Sequence, residues 1–447
     1  MRSYGARALA ISLAAIAFSI PLHAAASDAI GSSPGDSLEA PRVTRVDVTG
    51  FRVTKEYVIR REIETAPGEP HDPADVAADV QRLENLGIFS SIDVVSSPDS
   101  AGVALEYQVR EMPWLIPAIA LSYTEQNGWS GGPSISTLNL AGRDIALSGK
   151  VLFGGSTTFS ANLSYPWITG NHVGVDAYVA RLVREDELNE FEERSTEMTP
   201  QLGTYLGRRG RLRAIYSSFR ITSDVDGKTL SPDNEDHLHR IGGAIGYDSR
   251  NSWRDPTQGW WLELQTLRTG GRFLRGDGDF WTTDIDVRRY QPGPLRHSIH
   301  IASLLSLQSG EAGVDVPQYL LYRLGGANTI RGHDIDVLGK ELYGKNQLLI
   351  TTEYQIPVID LREFRFFNKL SFSLGLKVAL FADQGVAWSD GDDFGADRSR
   401  SGVGAGLRLL IPGADVLRFD FAYGEGGEWR FHLAGRPKMV SQRGRVR

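Results

Sequence analysis

Cysteine is absent from the 447-residue chain, which excludes disulfide bonds and thiolate-ligated metal sites. Beyond residue 26 the sequence also lacks any apolar run approaching the roughly 20 residues that a membrane-spanning helix needs. Its 55 acidic residues outnumber its 48 basic ones, so bulk charge does not indicate nucleic-acid binding. We find no G-x-S-x-G motif and no convincing Ser/His/Asp set. The sequence therefore predicts neither an enzyme nor a bound cofactor.

The amino-terminal 40 residues carry the features of an exported chain. Two arginines precede an apolar run at 8–20, and three alanines follow at 24–26. We expect residues 1–26 to be a signal peptide, cleaved near the alanines. An anchor helix is the alternative, which the shortness of the run disfavours. Residues 27–40 are polar and rich in Ser, Gly and Pro, which predicts a flexible linker.

Residues 41–111 are predicted to form a small α+β domain. The predicted elements, in chain order, are a strand at 42–49, a helix from 54 to 64, a helix from 72 to 86, and strands at 88–95 and 103–109. Thr54 and Asp72 are residue types that favour helix N-caps, and Gly87 ends the second helix. Ser97, Pro98 and Asp99 are interpreted as the turn between the last two strands.

This order of elements, together with LENLGIFSSIDV at residues 83–94, resembles a POTRA domain. The pattern LxxLGIFxxI is more specific than the order of elements alone, and the sequence contains one copy of it. The resemblance implies a periplasmic module that binds extended chains along a sheet edge.

From residue 113 onward, short segments alternate between apolar and polar residues. In 159–167 the odd positions are Phe, Ala, Leu, Tyr and Trp, and in 372–380 the even positions are apolar. One apolar face and one small or polar face is typical of a membrane β-barrel. A soluble sandwich is the alternative, which Gly, Lys and Arg on the polar face disfavour. At about 20 residues per strand and connection, residues 113–433 predict about 16 antiparallel transmembrane strands.

The sequence also predicts long loops between some of the strands and a tail after the last one. Acidic, irregular stretches at 185–197, 223–236 and 388–400 are predicted to be long outer loops. Residues 434–447 form a basic tail after the last strand.

His237 and His239 have metal-ligand spacing but no third ligand at motif spacing, so no metal site is predicted.

Four motifs in this region resemble those of the BamA/TamA superfamily of outer-membrane proteins, the bacterial surface antigens. The motifs are Asp248-Ser249-Arg250 with Pro256 and Gly259, Ile330-Arg331-Gly332-His333, Phe381-Ala382-Asp383-Gln384-Gly385, and Gly402 to Arg408 followed by Arg418-Phe419-Asp420-Phe421. Each motif alone is weak, but all four occur in family order after a POTRA-like segment. Together they span residues 41–433. The resemblance implies an outer-membrane barrel with its POTRA domain in the periplasm.

The arginine loop, LGGANTIRGHDIDVLG at residues 324–339, places a cation among glycines. Its central residues are Gly325, Gly326, Arg331, Gly332 and His333. The resemblance implies that this loop folds into the barrel lumen and is pinned to the wall. His333 stands where the family has Phe or Tyr, which leaves the packing of the loop tip in doubt.

Strand parity independently supplies partners for Arg331. Asp383 and Glu353 occupy odd positions on strands whose even positions are apolar, so both carboxylates are predicted to point inward. A guanidinium offers a planar fork that carboxylate oxygens accept. The alternative is an arginine on a solvated outer loop, which explains neither the glycines nor the inward acids.

Two classes of function follow. In the first, the POTRA domain receives unfolded or secreted client proteins, and the barrel inserts them into the outer membrane or passes them across it. The opening would lie between the last strand and the first, near 117–123. In the second, the protein is a passive pore or a structural barrel. The expected partners are the outer-membrane bilayer, client proteins and accessory periplasmic proteins, but not nucleic acid.

Overall fold

The computed structural model describes residues 41–124, 126–169, 172–253, 255–366, 370–389, 394–395, 398–410 and 416–434, with backbone only for 361–366 and 370–373. The predicted signal peptide, the linker and the basic tail beyond residue 434 lie outside these ranges. No helix among the described residues has both the length and the apolarity needed to cross a membrane.

The amino-terminal domain is a three-stranded sheet covered by two helices. Its elements are β1 (Val43–Thr49), α1 (Glu56–Arg60), α2 (Pro73–Leu86), β2 (Phe89–Asp99) and β3 (Gly102–Glu111). The central strand β3 pairs with β1 in parallel and with β2 antiparallel. Apolar side chains from both helices and all three strands form one buried cluster. This packing confirms the predicted order of elements.

One carboxylate is fully buried in this domain. Asp79 accepts hydrogen bonds from the backbone amides of Glu64 and Thr65 and from the Tyr107 hydroxyl, at 2.7–3.2 Å. It also contacts the Arg82 guanidinium. Burial, followed by the hydrogen bond to Asp79, raises the pKa of Tyr107. These bonds satisfy a charge that would otherwise be costly to bury.

The caps of the two helices differ from each other. The Asp72 carboxylate accepts from the Ala74 amide at 2.8 Å, and Gly87 adopts φ 69°, as predicted. The prediction for Thr54 was wrong, because α1 begins later and has Lys55 at its N-cap position without a side-chain cap. The predicted turn at 97–99 was also wrong, since β2 continues through Asp99.

The second region is a 16-stranded sheet in which the strands follow one another in chain order. Its strands are β4 (Leu115–Thr124), β5 (Gly128–Leu140), β6 (Ile145–Gly154), β7 (Ser156–Tyr165), β8 (Gly174–Asp186), β9 (Phe191–Leu206), β10 (Gly210–Ser223), β11 (Glu235–Asp248), β12 (Gly259–Gly270), β13 (Asp279–Pro292), β14 (Ser298–Gln308), β17 (Asn346–Phe366), β18 (Leu370–Trp388), β19 (Arg400–Leu410), β20 (Leu417–Gly424) and β21 (Trp429–Ala434). The ladders between neighbouring strands of this sheet are all antiparallel, which confirms the predicted barrel class and strand number.

The remaining elements lie in the connections. They are α3 (Gly271–Leu274), two 3-10 helices (Pro294–Arg296 and Gln318–Leu320), β15 (Tyr322–Arg323), α4 (Ile335–Glu341) and β16 (Tyr343–Gly344). The long connection from β14 to β17 contains the arginine loop. The predicted loop at 185–197 was wrong, because β8 runs to Asp186 and β9 begins at Phe191. The acidic residues there extend two paired strands instead.

The barrel turns apolar side chains outward and polar side chains inward. Ile119, Leu202 and Ile245 are at least half exposed, whereas Glu263, Asp286 and Arg288 are buried on the inner face. This inversion of the usual pattern is what a sheet surrounded by lipid requires. The terminal strands β4 and β21 lie side by side, but no ladder joins them in the part of the chain that the structure describes.

Candidate functional site

Arg331 lies inside the barrel and is fully buried. Its Nε and Nη2 atoms donate to the two carboxylate oxygens of Asp383 at 2.8 and 2.9 Å, and its backbone amide donates to Asp383 at 3.1 Å. Its Nη1 donates to Glu353 at 2.9 Å and to Asp420 at 3.1 Å. One guanidinium therefore contacts carboxylates of three strands, β17, β18 and β20.

Two further arginines complete the ionic network. Arg408 donates to Glu353 at 2.8 Å and to Asp420 at 2.5 Å. Arg418 lies 3.5 Å from Asp420 and donates to the side-chain oxygen of Asn328 in the arginine loop at 2.9 Å. Three guanidinium groups thus face three carboxylates, and the formal charges cancel. That balance makes the buried cluster tolerable in a low-dielectric surrounding.

Phe381 on β18 forms the floor of this network. The Arg331 Cζ atom lies 3.3 Å from the centroid of its ring, a cation–π contact. A Cβ atom at Gly404 on β19 would lie 2.6 Å from Phe381, and one at Gly402 would lie 1.8 Å from the Arg331 carbonyl oxygen. The small face of β19 therefore provides the space that the arginine and the phenylalanine occupy.

The tip of the arginine loop reaches the last strands. Gly332 has φ 90°, and a Cβ there would lie 2.6 Å from the backbone of Tyr423. Only glycine allows this conformation and this approach together. The Gly332 amide donates to Nε2 of His432 on β21 at 3.1 Å. His333, which replaces the family aromatic, contacts the Ser401 carbonyl oxygen on β19 at 2.8 Å through Nε2.

The amino-terminal half of the loop is closed on itself. The Gly325 amide donates to the Thr329 hydroxyl at 2.7 Å, and that hydroxyl donates back to the Gly325 carbonyl at 2.6 Å. The Gly326 amide donates to the His333 carbonyl at 2.8 Å. These bonds hold the loop in a compact hairpin around Arg331.

The strand-turn motif lies at the end of β11 and β12 that faces the amino-terminal domain, where the Trp253 amide donates to Asn85 at 3.1 Å. Arg250 donates two hydrogen bonds of 2.9 Å to Asp248, and its guanidinium stacks 4.7 Å from the Trp261 ring. A Cβ at Gly259 would lie 2.2 Å from the Ser249 carbonyl. Pro256 is in the turn between these residues. This motif shapes a turn and contributes no group to the arginine network.

The amino-terminal domain docks on the turns at one end of the barrel. Thr54, which does not cap α1, accepts a hydrogen bond from Asn139 at 2.8 Å, and the Lys55 amide donates to the Gly142 carbonyl at 2.8 Å. The Glu111 carboxylate accepts from the Thr54 amide at 2.6 Å. Glu111 also binds neighbouring amides, and these bonds outweigh its burial and lower its pKa.

A stack of side chains extends this docking along the rim. The Arg61 guanidinium lies 4.4 Å from the Trp167 ring, Trp167 lies 3.7 Å from His172, His172 lies 4.7 Å from Tyr205, and Arg211 lies 3.8 Å from Tyr205. We call these five residues the rim stack. Burial, followed by the charges of the two arginines, lowers the pKa of His172. The lowered pKa favours the neutral form of the His172 imidazole between the two guanidinium groups.

Sequence reasoning missed several members of the network. Asp420, Arg408 and Arg418 share the inward parity that identified Asp383 and Glu353, so the same argument applied to β19 and β20 would have found them. Phe381 interrupts the alternation of apolar and polar residues along β18, because it is a large apolar residue at an inward position directly after Leu380. This interruption could have identified it. His432 alternates with the outward Phe431 and Leu433, so parity would have placed it inward too, although nothing in the sequence indicated its contact with Gly332. Among the described residues, no group of three or more His, Cys, Asp or Glu side chains is arranged to hold a metal ion.

Comparisons with known proteins agree with this architecture. The sequence model of the Omp85 superfamily domain matches residues 139–434, and that of the POTRA family, described as a surface antigen variable number repeat, matches residues 41–112. The chain is 25% identical over 403 residues to the outer membrane protein assembly factor BamA of Nitratidesulfovibrio vulgaris, covering 86% of this chain and 48% of that protein. BamA of Neorickettsia risticii is 26% identical, with coverages of 85% and 52%. The chain thus spans about half the length of these curated relatives.

Solved structures show the same fold at low identity. BamA from Haemophilus ducreyi lacking POTRA domains 1–3 aligns with a TM-score of 0.55 at 16% identity, covering 88% of this chain and 83% of that one. CdiB from Acinetobacter baumannii aligns with a TM-score of 0.52 at 14% identity, covering 88% and 73%. The chain belongs to the Omp85 superfamily, and it is an outer-membrane β-barrel protein with a POTRA domain on its periplasmic side.

Proposed function

We propose that this protein helps client proteins to insert into, or to cross, the outer membrane. The observation that carries the proposal is the seam between β4 and β21, two adjacent strands without a ladder between them among the described residues. Strands with unpaired edges are templates for another strand. A client segment can therefore pair with either edge while it moves into the lipid or through the barrel. The names of the BamA and CdiB relatives agree with this class of activity.

The POTRA domain supplies a place for the client to dock. In its sheet, β2 pairs with β3 on one side only. The other edge of β2 can accept an extended peptide by β-augmentation. The same domain is bonded to the periplasmic turns of the barrel, which brings a captured segment to the barrel mouth. Accessory periplasmic proteins, if they take part, would contact the exposed faces of this domain.

The arginine loop gives this role a fixed internal support. Because Arg331 contacts β17, β18 and β20 and the loop tip contacts β21, the strands on one side of the seam share a common anchor. A lumen that contains this loop and its ionic network also disfavours the passive pore. We propose that the network keeps the β21 side of the seam in register while the client pairs.

Cross-linking the seam tests the proposal. The chain has no cysteine, so a double variant such as Ile119→Cys with Phe431→Cys or Leu433→Cys carries only the introduced thiols. Oxidation should abolish client assembly in proteoliposomes, and reduction should restore it. The matched control is Ile245→Cys with Leu264→Cys, a directly opposed pair on β11 and β12. Its oxidation should leave assembly unchanged.

Two results would refute the proposal. One is full assembly activity with the seam cross-linked. The other is a large, steady, ungated conductance in planar bilayers that persists when the seam is oxidised, since that behaviour is characteristic of a passive pore.

A further inference from the structure

A row of polar side chains crosses the lipid-facing surface of the barrel at the end opposite the POTRA domain. Arg181 on β8 is directly opposite Thr196 on β9, and Thr196 is directly opposite Arg220 on β10. All three side chains are exposed. Directly opposed residues of neighbouring strands point to the same face of a sheet. The two arginines therefore flank a threonine on the outer wall of the barrel.

The residues below this row identify the face as the one that meets lipid. Val179 precedes Arg181 at the same parity, and Met198, Leu202 and Leu206 continue the face of Thr196 along β9. Each of these apolar side chains is more than one-third exposed. At Arg181, Thr196 and Arg220 the outward face thus changes from apolar to polar, and the exposed Arg194, paired with Glu192, continues the polar part further out on β9.

The height of the row can be estimated from β9. With a rise of about 3.3 Å per residue and a strand tilt of about 40°, Thr196 lies ~25 Å above Leu206 along the barrel axis. The outward apolar band of such barrels is also ~25 Å tall. Leu206 is at the POTRA end, beside the turn that holds Arg208 and Arg209. The row therefore lies at the head-group level of the opposite leaflet.

The charges of the row are only partly satisfied by the protein. Arg220 forms an ion pair with Glu235 at 2.5 Å. Arg181 has no carboxylate within ion-pair distance in the described part of the chain. The acidic residues Glu185 and Glu192 are opposite each other further out, beyond the row. A cation without a partner next to hydrocarbon is costly unless an anion reaches it.

We propose that Arg181, Thr196 and Arg220 bind the phosphate group of an anionic lipid in the leaflet opposite the POTRA domain. Two strand spacings of about 4.8 Å separate the arginine backbones, so both guanidinium groups can reach one phosphate above Thr196. The threonine hydroxyl donates a third hydrogen bond. The acyl chains of the same lipid would lie along the apolar residues below. Guanidinium groups suit phosphate because their donors match its oxygens in pairs.

Lipid retention tests this site on the whole protein. Wild type and Arg181→Gln/Thr196→Val would be placed in phosphatidylcholine nanodiscs with and without diphosphoryl lipid A. Lipid A that remains bound after transfer to detergent would be counted by native mass spectrometry. We expect the double variant to bind lipid A about tenfold more weakly than wild type, as loss of charge-assisted hydrogen bonds predicts. Heat-modifiability on gels verifies that the barrel is folded.

Two further variants sharpen the result. Arg181→Lys keeps the positive charge and should retain most of the bound lipid. Arg209→Gln removes an exposed arginine at the opposite rim, where its guanidinium contacts the Tyr247 hydroxyl at 3.1 Å, and should bind lipid A as wild type does. Equal loss in Arg181→Gln/Thr196→Val and Arg209→Gln would show a general charge effect and overturn the site.

The source of the phosphate is tested separately. Excess inorganic phosphate should not displace lipid A, because the acyl chains contribute to binding. Displacement by inorganic phosphate alone would show an anion site rather than a lipid site, and would overturn the proposal. Wild type that retains no more lipid A than phosphatidylcholine would do the same.

Discussion

The POTRA domain and the barrel have opposite interiors. The POTRA domain has an apolar core, with Leu83 and Ile59 fully buried around one satisfied carboxylate, Asp79. The barrel buries Arg331 and Asp383 on the inside and exposes Leu264 and Ile245 on the outside. In the first region water drives apolar side chains together. In the second, lipid accepts the apolar face, and ion pairs must hold the interior.

The same substitution should therefore have different effects in the two regions. Leu83→Ala leaves a cavity in the POTRA core and should cost about 2–5 kcal/mol of that domain's stability. Leu264→Ala should cost about 1 kcal/mol or less, because lipid chains fill the space and no cavity remains. Urea unfolding followed by far-UV circular dichroism, with heat-modifiability for the barrel, would measure both. Similar losses at the two positions would contradict the comparison.

The ionic interior can be tested with Arg331→Ala. Breaking a well-buried ion pair costs about 3–5 kcal/mol, and the full burial of Arg331 should place this change in that range. We expect the barrel to remain folded on gels while client assembly falls and the arginine loop becomes accessible to protease. Arg331→Lys should restore client assembly only in part, because lysine lacks the planar guanidinium group.

Arg213→Ala is the matched control for that variant. Arg213 is a buried lumenal arginine that donates to Glu263 at 2.6 Å and to Gln201 at 3.1 Å, both on the barrel wall. Its loss should lower stability without loosening the loop. Wild-type assembly by Arg331→Ala would rule out the proposed support role.

The junction between the two regions should respond to Arg61→Ala. Arg61 donates to the buried Asp144 at 3.1 Å and forms one end of the rim stack. Its removal takes the Arg61 guanidinium away from that carboxylate, at a cost of about 1–3 kcal/mol to docking. Faster hydrogen exchange in α1 and in residues 141–144 would report the loss. The neighbouring Arg60→Ala removes an exposed ion pair with Glu56 and should have little effect.

Acidification should weaken the docking of the POTRA domain on the barrel through His172, and this should be the smallest of the expected effects. Its pKa in the folded protein is lowered from 6.5, so the unfolded or undocked state binds more protons. Docking is therefore at full strength above about pH 6.5 and weakens as the pH falls through the lowered pKa. Hydrogen exchange of residues 166–173 should become faster between pH 7.5 and 5 as docking weakens. His172→Gln should remove the part of this pH dependence that comes from the histidine.

Sequence patterns anticipated the barrel well because alternation depends on local geometry alone. The parity that placed Glu353 and Asp383 inward needed no knowledge of the partner strands, and both carboxylates contact Arg331 in the structure. Asp72 and Gly87 were also recognisable, since helix caps are made within a few residues.

Contacts between distant segments could not be derived in this way. Thr54 is a good N-cap by residue type, but the hydrogen bond from Asn139 on the barrel uses its hydroxyl instead. The acidic stretch at 185–197 looked like a loop, because the pairing of Arg184 with Glu193 across β8 and β9 is invisible in a single sequence. The hydrogen bond between His432 and the loop tip depends on where β21 lies in the folded barrel, which the sequence does not show.

The two anchors of the barrel hold different sides of the seam. The POTRA domain is bonded to connections from β5 to β12, and its β2 lies close to β18, whereas the arginine loop binds β17 to β21. The β4–β21 gap thus separates a periplasmically braced segment from one braced from within. A small tilt of one segment relative to the other would widen the gap without breaking an internal ladder. Such an opening would require no nucleotide, because strand pairing with the incoming chain can supply the driving force.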